Sequence, residues 1–321
     1  MPAPERLPAP GVSTTGEHED LLALGELTVV GRIREASNAV LLCTVAYEGA
    51  TADCVYKPVK GERPLWDFPD GNLARREVAA YLVSEATGWG LVPETVLRDG
   101  PYGEGMVQRW IESADANASG DEGADADASG DEGADGSGDE GADGSGDEGA
   151  DGSGAADGGP GSGLLALVEG EEAAEGWKPV ALAEVGEGRT ALLVHADDPR
   201  LRRMAVLDAV INNGDRKGGH LLPTADGRLY GIDHGVTFHT EDKLRTLLWG
   251  WAGEPLTDEA REVLGSLGAE LADGAPLATR LAELVTAAEL AAVRDRVGQL
   301  LRTGTHPKPS GQWPAIPWPP V

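Results

Sequence analysis

The chain has 321 residues and a formal net charge of −29, from 55 Asp and Glu against 26 Lys and Arg. Such an excess of acid argues against nucleic acid and anionic membrane surfaces as partners, because both need basic patches. Two cysteines make no disulfide framework, no run reaches ~18 apolar residues, and the start "MPAPERLPAPG" lacks an apolar h-region, so a cytoplasmic protein with no stable membrane insertion is expected.

Residues 1–20 read as a disordered tail, and 21–112 as a β-rich lobe. "LTVVGRI" and "AVLLCTVAY" flank the turn "REASN", and "DCVYKPV" follows as a third strand. Along that strand Val55, Lys57 and Val59 share one face. An inward lysine is costly unless an anion meets it; the alternative is an edge strand, which Pro58 permits, with Lys57 reaching solvent. "NLARREVAAYLVSEATG" reads as a helix with Asn72 as N-cap and Gly88 just past its end. Leu73, Glu77, Ala80, Tyr81 and Ser84 form one stripe on it. Glu77 among mostly apolar neighbours calls for a cation, and Lys57 is the nearest in chain order; a surface pairing with a neighbouring arginine is the alternative. "VPETVLRD" and "GEGMVQRWI" supply two more strands.

Residues 113–163 repeat "SGDEGAD" units, with fifteen acids and no Lys or Arg, which leaves −14 for the rest of the chain. With no aromatic or branched apolar residue through the repeats, the insert is expected to be disordered. Residues 164–305 read as a mostly helical lobe: "RLRRMAVLDAVINN", "KLRTLLWGW", "DEAREVLGSLGAELA" and "AELAAVRDRVGQLLR" have helical apolar spacing. Residues 306–321 form a tail rich in proline and tryptophan, extended over a surface. Between the first two of those helices, Asp226-Gly227 marks a hairpin with both central residues at positive φ. Ala225 then pairs with Arg228 and His220 with Asp233, so Asp215, His220 and Asp233 share one pocket. Two acids and an imidazole there suit a divalent cation or acid–base work; a solvated hairpin with polar ends is the plainer reading. His195 and His239 read as packing or surface residues.

Taken in order, "VYKPVKGERPLWDFPDGNLARREVAAYLV" and "NNGDRKGGHLLP…YGIDHG" are the telling segments. Across residues 25–112 and 164–255 the chain resembles the protein-kinase-like superfamily. Within it, the chain is similar to the phosphatidylinositol 3-/4-kinase catalytic domain and to an uncharacterised bacterial family of such proteins. The resemblance implies an α+β, two-lobed protein-kinase-like fold, with a β-rich N-lobe and a helical C-lobe. It also implies an ATP-dependent kinase using Mg2+ or Mn2+. Lys57 would hold the nucleotide's α/β-phosphates and pair with Glu77. Asp215 sits at the catalytic Asp of "D-R-H-x-x-N", and Asp233 at the metal-binding Asp of "D-F-G", where His234 replaces the aromatic. Ser37 and Asn38 of the "REASN" turn would cover the phosphates. Gln108, Arg109 and Trp110 would end in the interlobe hinge against the adenine. Such parts suit phosphoryl transfer, which needs positioning and charge neutralisation more than covalent chemistry.

Two departures stand out. The metal-binding Asn five residues after the catalytic Asp is His220 here; magnesium prefers oxygen ligands, so His220 would bind manganese, act on a phosphate, or leave the site with one metal. The covering loop also lacks G-x-G-x-x-G. The phosphoryl acceptor is unknown. "HGVTFHTEDKLRTLLWGW" offers only Lys243 and Arg245 for an inositol phosphate, which favours a protein or small soluble acceptor. A catalytically impaired pseudokinase or scaffold is the rival, with His220 as its argument. A metal-dependent hydrolase lacks support, since no H-E-x-x-H occurs.

Overall fold

The strand pattern of the first lobe comes out as one sheet. A computed structural model describes residues 15–33, 39–63, 65, 67–68, 71–114, 163–184 and 189–317. In the first lobe, β1 (Glu26–Arg32), β2 (Leu41–Tyr47), β3 (Ala50–Pro58), β4 (Thr95–Gly100) and β5 (Gly103–Arg109) pair antiparallel in the order β1-β2-β3-β5-β4. Side chains of directly paired residues share a face. Cys43, Cys54, Tyr56 and Val107 therefore form one apolar face, and Lys57 and Met106 lie on the other.

Both faces are covered. The helix α2 (Leu73–Thr87) packs Ala74 and Val78 against Met106, on the Lys57 side. A helix α1 (Thr15–Leu24) lies on the other face, where the sequence pointed to a disordered tail through residue 20. Its order comes from docking: Leu21 and Leu22 join the Cys43/Tyr56 cluster, and Tyr81 donates to Glu19 at 2.6 Å. Local propensity alone does not mark so short a helix. Cys43 stands opposite Cys54; both thiols are free and buried, and burial pushes Cys54 up to about 12, so they pack as small apolar groups.

The ends of α2 follow the sequence signals. Asn72 accepts from the Arg75 N–H at 2.8 Å, and Gly88 closes the helix at φ 70°. The Glu62 carboxylate accepts from the N–H groups of Leu73 and Ala74, placing negative charge at the helix start.

The second lobe departs from expectation at its start. It opens with a three-stranded sheet, ordered β6-β8-β7, from Leu165–Glu169 (β6), Trp177–Glu184 (β7) and Thr190–Ala196 (β8). These are short apolar runs, which strand and helix share. Helices α3 (Pro199–Ile211), α4 (Asp258–Glu270), α5 (Pro276–Leu281) and α6 (Ala287–Thr303) follow, and all but α5 were marked by periodicity. Leu201, Leu207 and Ile211 of α3 meet Leu264 of α4, Val293 of α6 and Trp251 in one core.

The run 243–251, expected as a helix, is not one. Arg216 N–H donates to Arg245 O, the Thr246 N–H donates to Ala315 O, and only Trp249–Trp251 forms a 3-10 turn. Its apolar residues, such as Leu247 and Trp251, are buried by neighbours on all sides rather than by a helical stripe. The tail is held there too, with Trp249 Nε1 donating to Ala315 O at 2.8 Å.

The hairpin β9 (Leu221–Pro223) and β10 (Leu229–Gly231) forms one residue out of the expected register. Leu229 pairs with Pro223 and Gly231 with Leu221, and Thr224 N–H donates to Arg228 O. The loop therefore holds three residues, and Gly227 alone of the central pair has positive φ, at 85°. The whole is the two-lobed α+β architecture that the sequence implied, with a β-rich first lobe and a second lobe that is helical past its opening sheet. Among the described residues, no helix is long and apolar enough to cross a membrane.

Three buried histidines give the second lobe an acid sensitivity. Burial, and then the Arg202 charge, push His306 down to about 4, and burial lowers His195 and His234 as well. An unfolded histidine takes its proton near pH ~6.5, whereas folded His306 refuses one until about 4. The unfolded chain thus binds more protons in that window, so the contribution is complete above ~6.5 and is lost as pH falls toward 4. Thermal melts should show the midpoint falling steeply over this interval. His306→Asn should flatten part of the slope; an unchanged slope would count against His306 as a source.

Candidate functional site

Three elements meet at one amine. Lys57 Nζ, from β3, lies 2.8 Å from Glu77 Oε1 of α2 and 2.9 Å from Asp233 Oδ1, just past β10. The second Glu77 oxygen accepts from the His234 N–H at 2.8 Å. Asp233 reaches this position in the left-handed region, φ 63°, which Asp tolerates better than most residues. Its carboxylate is 52% exposed, whereas Glu77 is 2% exposed. Burial opposes the Lys57 charge, but Asp233 and Glu77 more than offset it and raise the ammonium above its usual range. The Lys57 charge holds Asp233 well below the usual carboxylate range, against the pull of burial. Burial raises Glu77; the Lys57 charge opposes this, and the Asp233 charge adds to it.

Behind this cluster sits a hub the sequence reading missed. Arg216 is fully buried and pairs with the equally buried Asp208 of α3 at 2.9 Å. The same guanidinium donates to Ile232 O at 3.1 Å and to His234 Nε2 at 2.6 Å. It thus ties α3 to the segment after β10 that carries Asp233. His234 is buried, burial holds its ring well below the usual imidazole range, and its Nδ1 has no hydrogen-bond partner. An aspartate inside the apolar run "AVLDAVI" was the available signal, since a buried acid demands a cation.

Asp215 stands apart from the Lys57 cluster. Its carboxylate meets Arg245 at 3.0 Å and Lys217 at 3.2 Å, and its N–H donates to Asn213 Oδ1 at 3.0 Å. Asn213 in turn donates to Asp208, and Arg245 to Gly214 O at 2.7 Å. Asp215, His220 and Asp233 do not form one three-ligand metal group among the described residues: His220 Nε2 lies 3.3 Å from Asp233 Oδ2, while Asp215 pairs its oxygens with Arg245 and Lys217 and reaches His220 through its charge. The one-residue register change matters little here, because His220 O still accepts from Ile232 N–H at 3.0 Å and keeps the ring beside Asp233.

The hinge residues are engaged elsewhere. Gln108 donates to Thr95 at 2.8 Å and is buried; Arg109 donates to Tyr230 at 3.1 Å and also pairs with Glu94. These partners hold both side chains, and Trp110 is 40% exposed. Ser37 and Asn38 lie outside the described residues.

Among the described residues no group of three or more His, Cys, Asp or Glu side chains is arranged to hold a metal. The half-exposed Asp233 carboxylate nevertheless fits a magnesium-type site, which usually takes one or two carboxylates and completes its shell with substrate phosphates and water.

No protein-family model matches the chain. Protein Rv2133c of Mycobacterium tuberculosis is 46% identical over 300 residues, spanning 93% of this chain and 94% of that protein. The chain belongs to the Rv2133c family. Looser likenesses exist among solved structures. The Golgi casein kinase is 12% identical with a TM-score of 0.48, covering 90% of this chain and 74% of that one. Hydra Fam20, solved with a sugar, is 11% identical with a TM-score of 0.48, covering 90% and 87%. The Helicobacter pylori proinflammatory kinase CtkA is 10% identical with a TM-score of 0.40, covering 88% and 94%. None of these likenesses is close enough to carry chemistry across, so what the Rv2133c-family site can do follows from its own side chains.

Proposed function

We propose that this member of the Rv2133c family is an ATP-dependent phosphotransferase of the phosphatidylinositol 3-/4-kinase-like type. Its acceptor is a hydroxyl on a protein or a small soluble molecule. The observation that carries this reading is the Lys57 amine bridging Glu77 at 2.8 Å and Asp233 at 2.9 Å. A lysine pinned by a buried glutamate keeps its charge and position, which suits holding phosphate oxygens. Asp233 would hold Mg2+ or Mn2+ together with the nucleotide, and that cation would supply neutralisation of phosphate charge. Asp215, fixed by Arg245, Lys217 and Asn213, orients the acceptor hydroxyl and takes its proton.

The rival is a nucleotide-binding protein without turnover, and His220 beside Asp233 is the observation in its favour. Titration of ATP followed by a turnover and autophosphorylation assay separates the two. Turnover supports the kinase; tight binding without turnover in either metal supports the rival; no binding removes both. Asp233→Asn is expected to weaken binding of ATP by roughly tenfold or more when metal is present, and far less in chelator. Equal weakening in both conditions would place the metal elsewhere.

A further inference from the structure

The position of one ring proton bears on how many cations this site takes. His220 Nδ1 lies 3.4 Å from the Lys217 N–H, which can only donate. Nδ1 is therefore the bare, accepting nitrogen, and in the neutral ring the proton is on Nε2. The Nε2 atom is the one that faces Asp233 Oδ2 at 3.3 Å. A protonated nitrogen has no lone pair for a metal. Moving the proton to Nδ1 would set two N–H groups against each other and leave the Lys217 amide without its acceptor.

The ring is not free to escape this choice. The His220 N–H donates to Lys217 O at 3.2 Å, and His220 O accepts from Ile232 at 3.0 Å and from Arg216 at 3.4 Å. Backbone bonds on both sides thus fix the residue, and its side chain is only 14% exposed.

We propose that His220 serves the nucleotide as a hydrogen-bond donor to a phosphate oxygen, and that the site takes one divalent cation, on Asp233. This rests on the phosphotransferase reading above. Lys57 and His220 flank the two oxygens of Asp233, one on each. When Asp233 turns its oxygens to a cation, both donors are left facing the same anionic space. A polyphosphate satisfies them, and a second cation beside a ring N–H does not. Of the roles the sequence left open for His220, manganese ligand or phosphate contact, this arrangement favours the phosphate contact.

The test uses the full chain, MnCl2 and ADP. Counting bound Mn2+ by electron paramagnetic resonance should give one ion per protein–ADP complex, and His220→Asn, which brings an oxygen acceptor, should allow a second. Two ions on the unmodified protein would overturn the inference. In chelator, where no metal competes, His220→Ala should weaken ADP roughly tenfold, the scale of a hydrogen bond to a charged group. An unchanged affinity in a variant that circular dichroism shows folded would also overturn it. A long-range 15N–1H spectrum should report His220 as the Nε2–H tautomer; the Nδ1–H form would refute the argument at its root. Failure of ADP to bind under any condition removes the nucleotide reading itself, whereas binding with two Mn2+ ions removes only this inference.

Discussion

Asp215→Asn is expected to cut ATP turnover and autophosphorylation by roughly 100-fold or more while leaving ATP affinity nearly unchanged. Asparagine keeps the shape of the side chain and can still accept from Arg245, which holds Asp215 at 3.0 Å. It cannot take a proton from an acceptor hydroxyl. Asp215 also lies outside the Lys57–Asp233 cluster that would grip the phosphates, so binding has little reason to change. Steady-state turnover beside an equilibrium titration of ATP separates these effects. A parallel loss of binding and turnover would mean that Asp215 holds the loop together rather than acting on the acceptor.

Asp208→Ala is expected to give the largest loss of stability. It strands the Arg216 guanidinium, whose side chain is fully buried. Removing one partner of a buried pair costs about 3–5 kcal/mol, because the remaining charge is left in a poor solvent. For a chain of this size that corresponds to a midpoint lower by roughly 5–10 °C. By contrast Glu259→Ala, which removes the partly exposed Arg203–Glu259 pair, should cost about 0–1 kcal/mol. Turnover should fall together with stability in Asp208→Ala, since Asn213 and Arg216 link Asp208 to both Asp215 and Asp233. Thermal melts of the two variants, side by side, check the contrast. Similar midpoints would show that Asp208 and Arg216 are solvated in a way the packing does not indicate.

Much of this protein was legible in its sequence because the signals are local. The boundaries of α2 follow from Asn72 and Gly88, whose side-chain acceptor and positive φ act within one turn. The five strands of the first lobe follow from alternation of apolar residues. Glu77 and Lys57 could be paired because each was an ion in apolar company, and a buried ion selects a partner of opposite charge.

Other features were decided by groups distant in the chain. The helix α1 is ordered by a sheet surface and by Tyr81, 62 residues away from Glu19. The run 243–251 has the apolar content of a helix, yet strand-like and turn contacts to Arg216 and Ala315 claim its backbone groups. The hairpin register slipped by one because a three-residue loop with Gly227 at positive φ competes with the two-residue form, and Asp-Gly fits both. Side chains named for the hinge turned to Thr95, Glu94 and Tyr230, partners no spacing rule could choose. The sequence by itself determined which ions the fold carries inward, since desolvation penalises every unpaired charge wherever it lies. Only the tertiary structure decided which of them share a site: Lys57 and His220 both face Asp233, while Asp215 pairs with Arg245 and Lys217. Charge pairing falls off over a few ångströms, and those distances exist only once the lobes have packed.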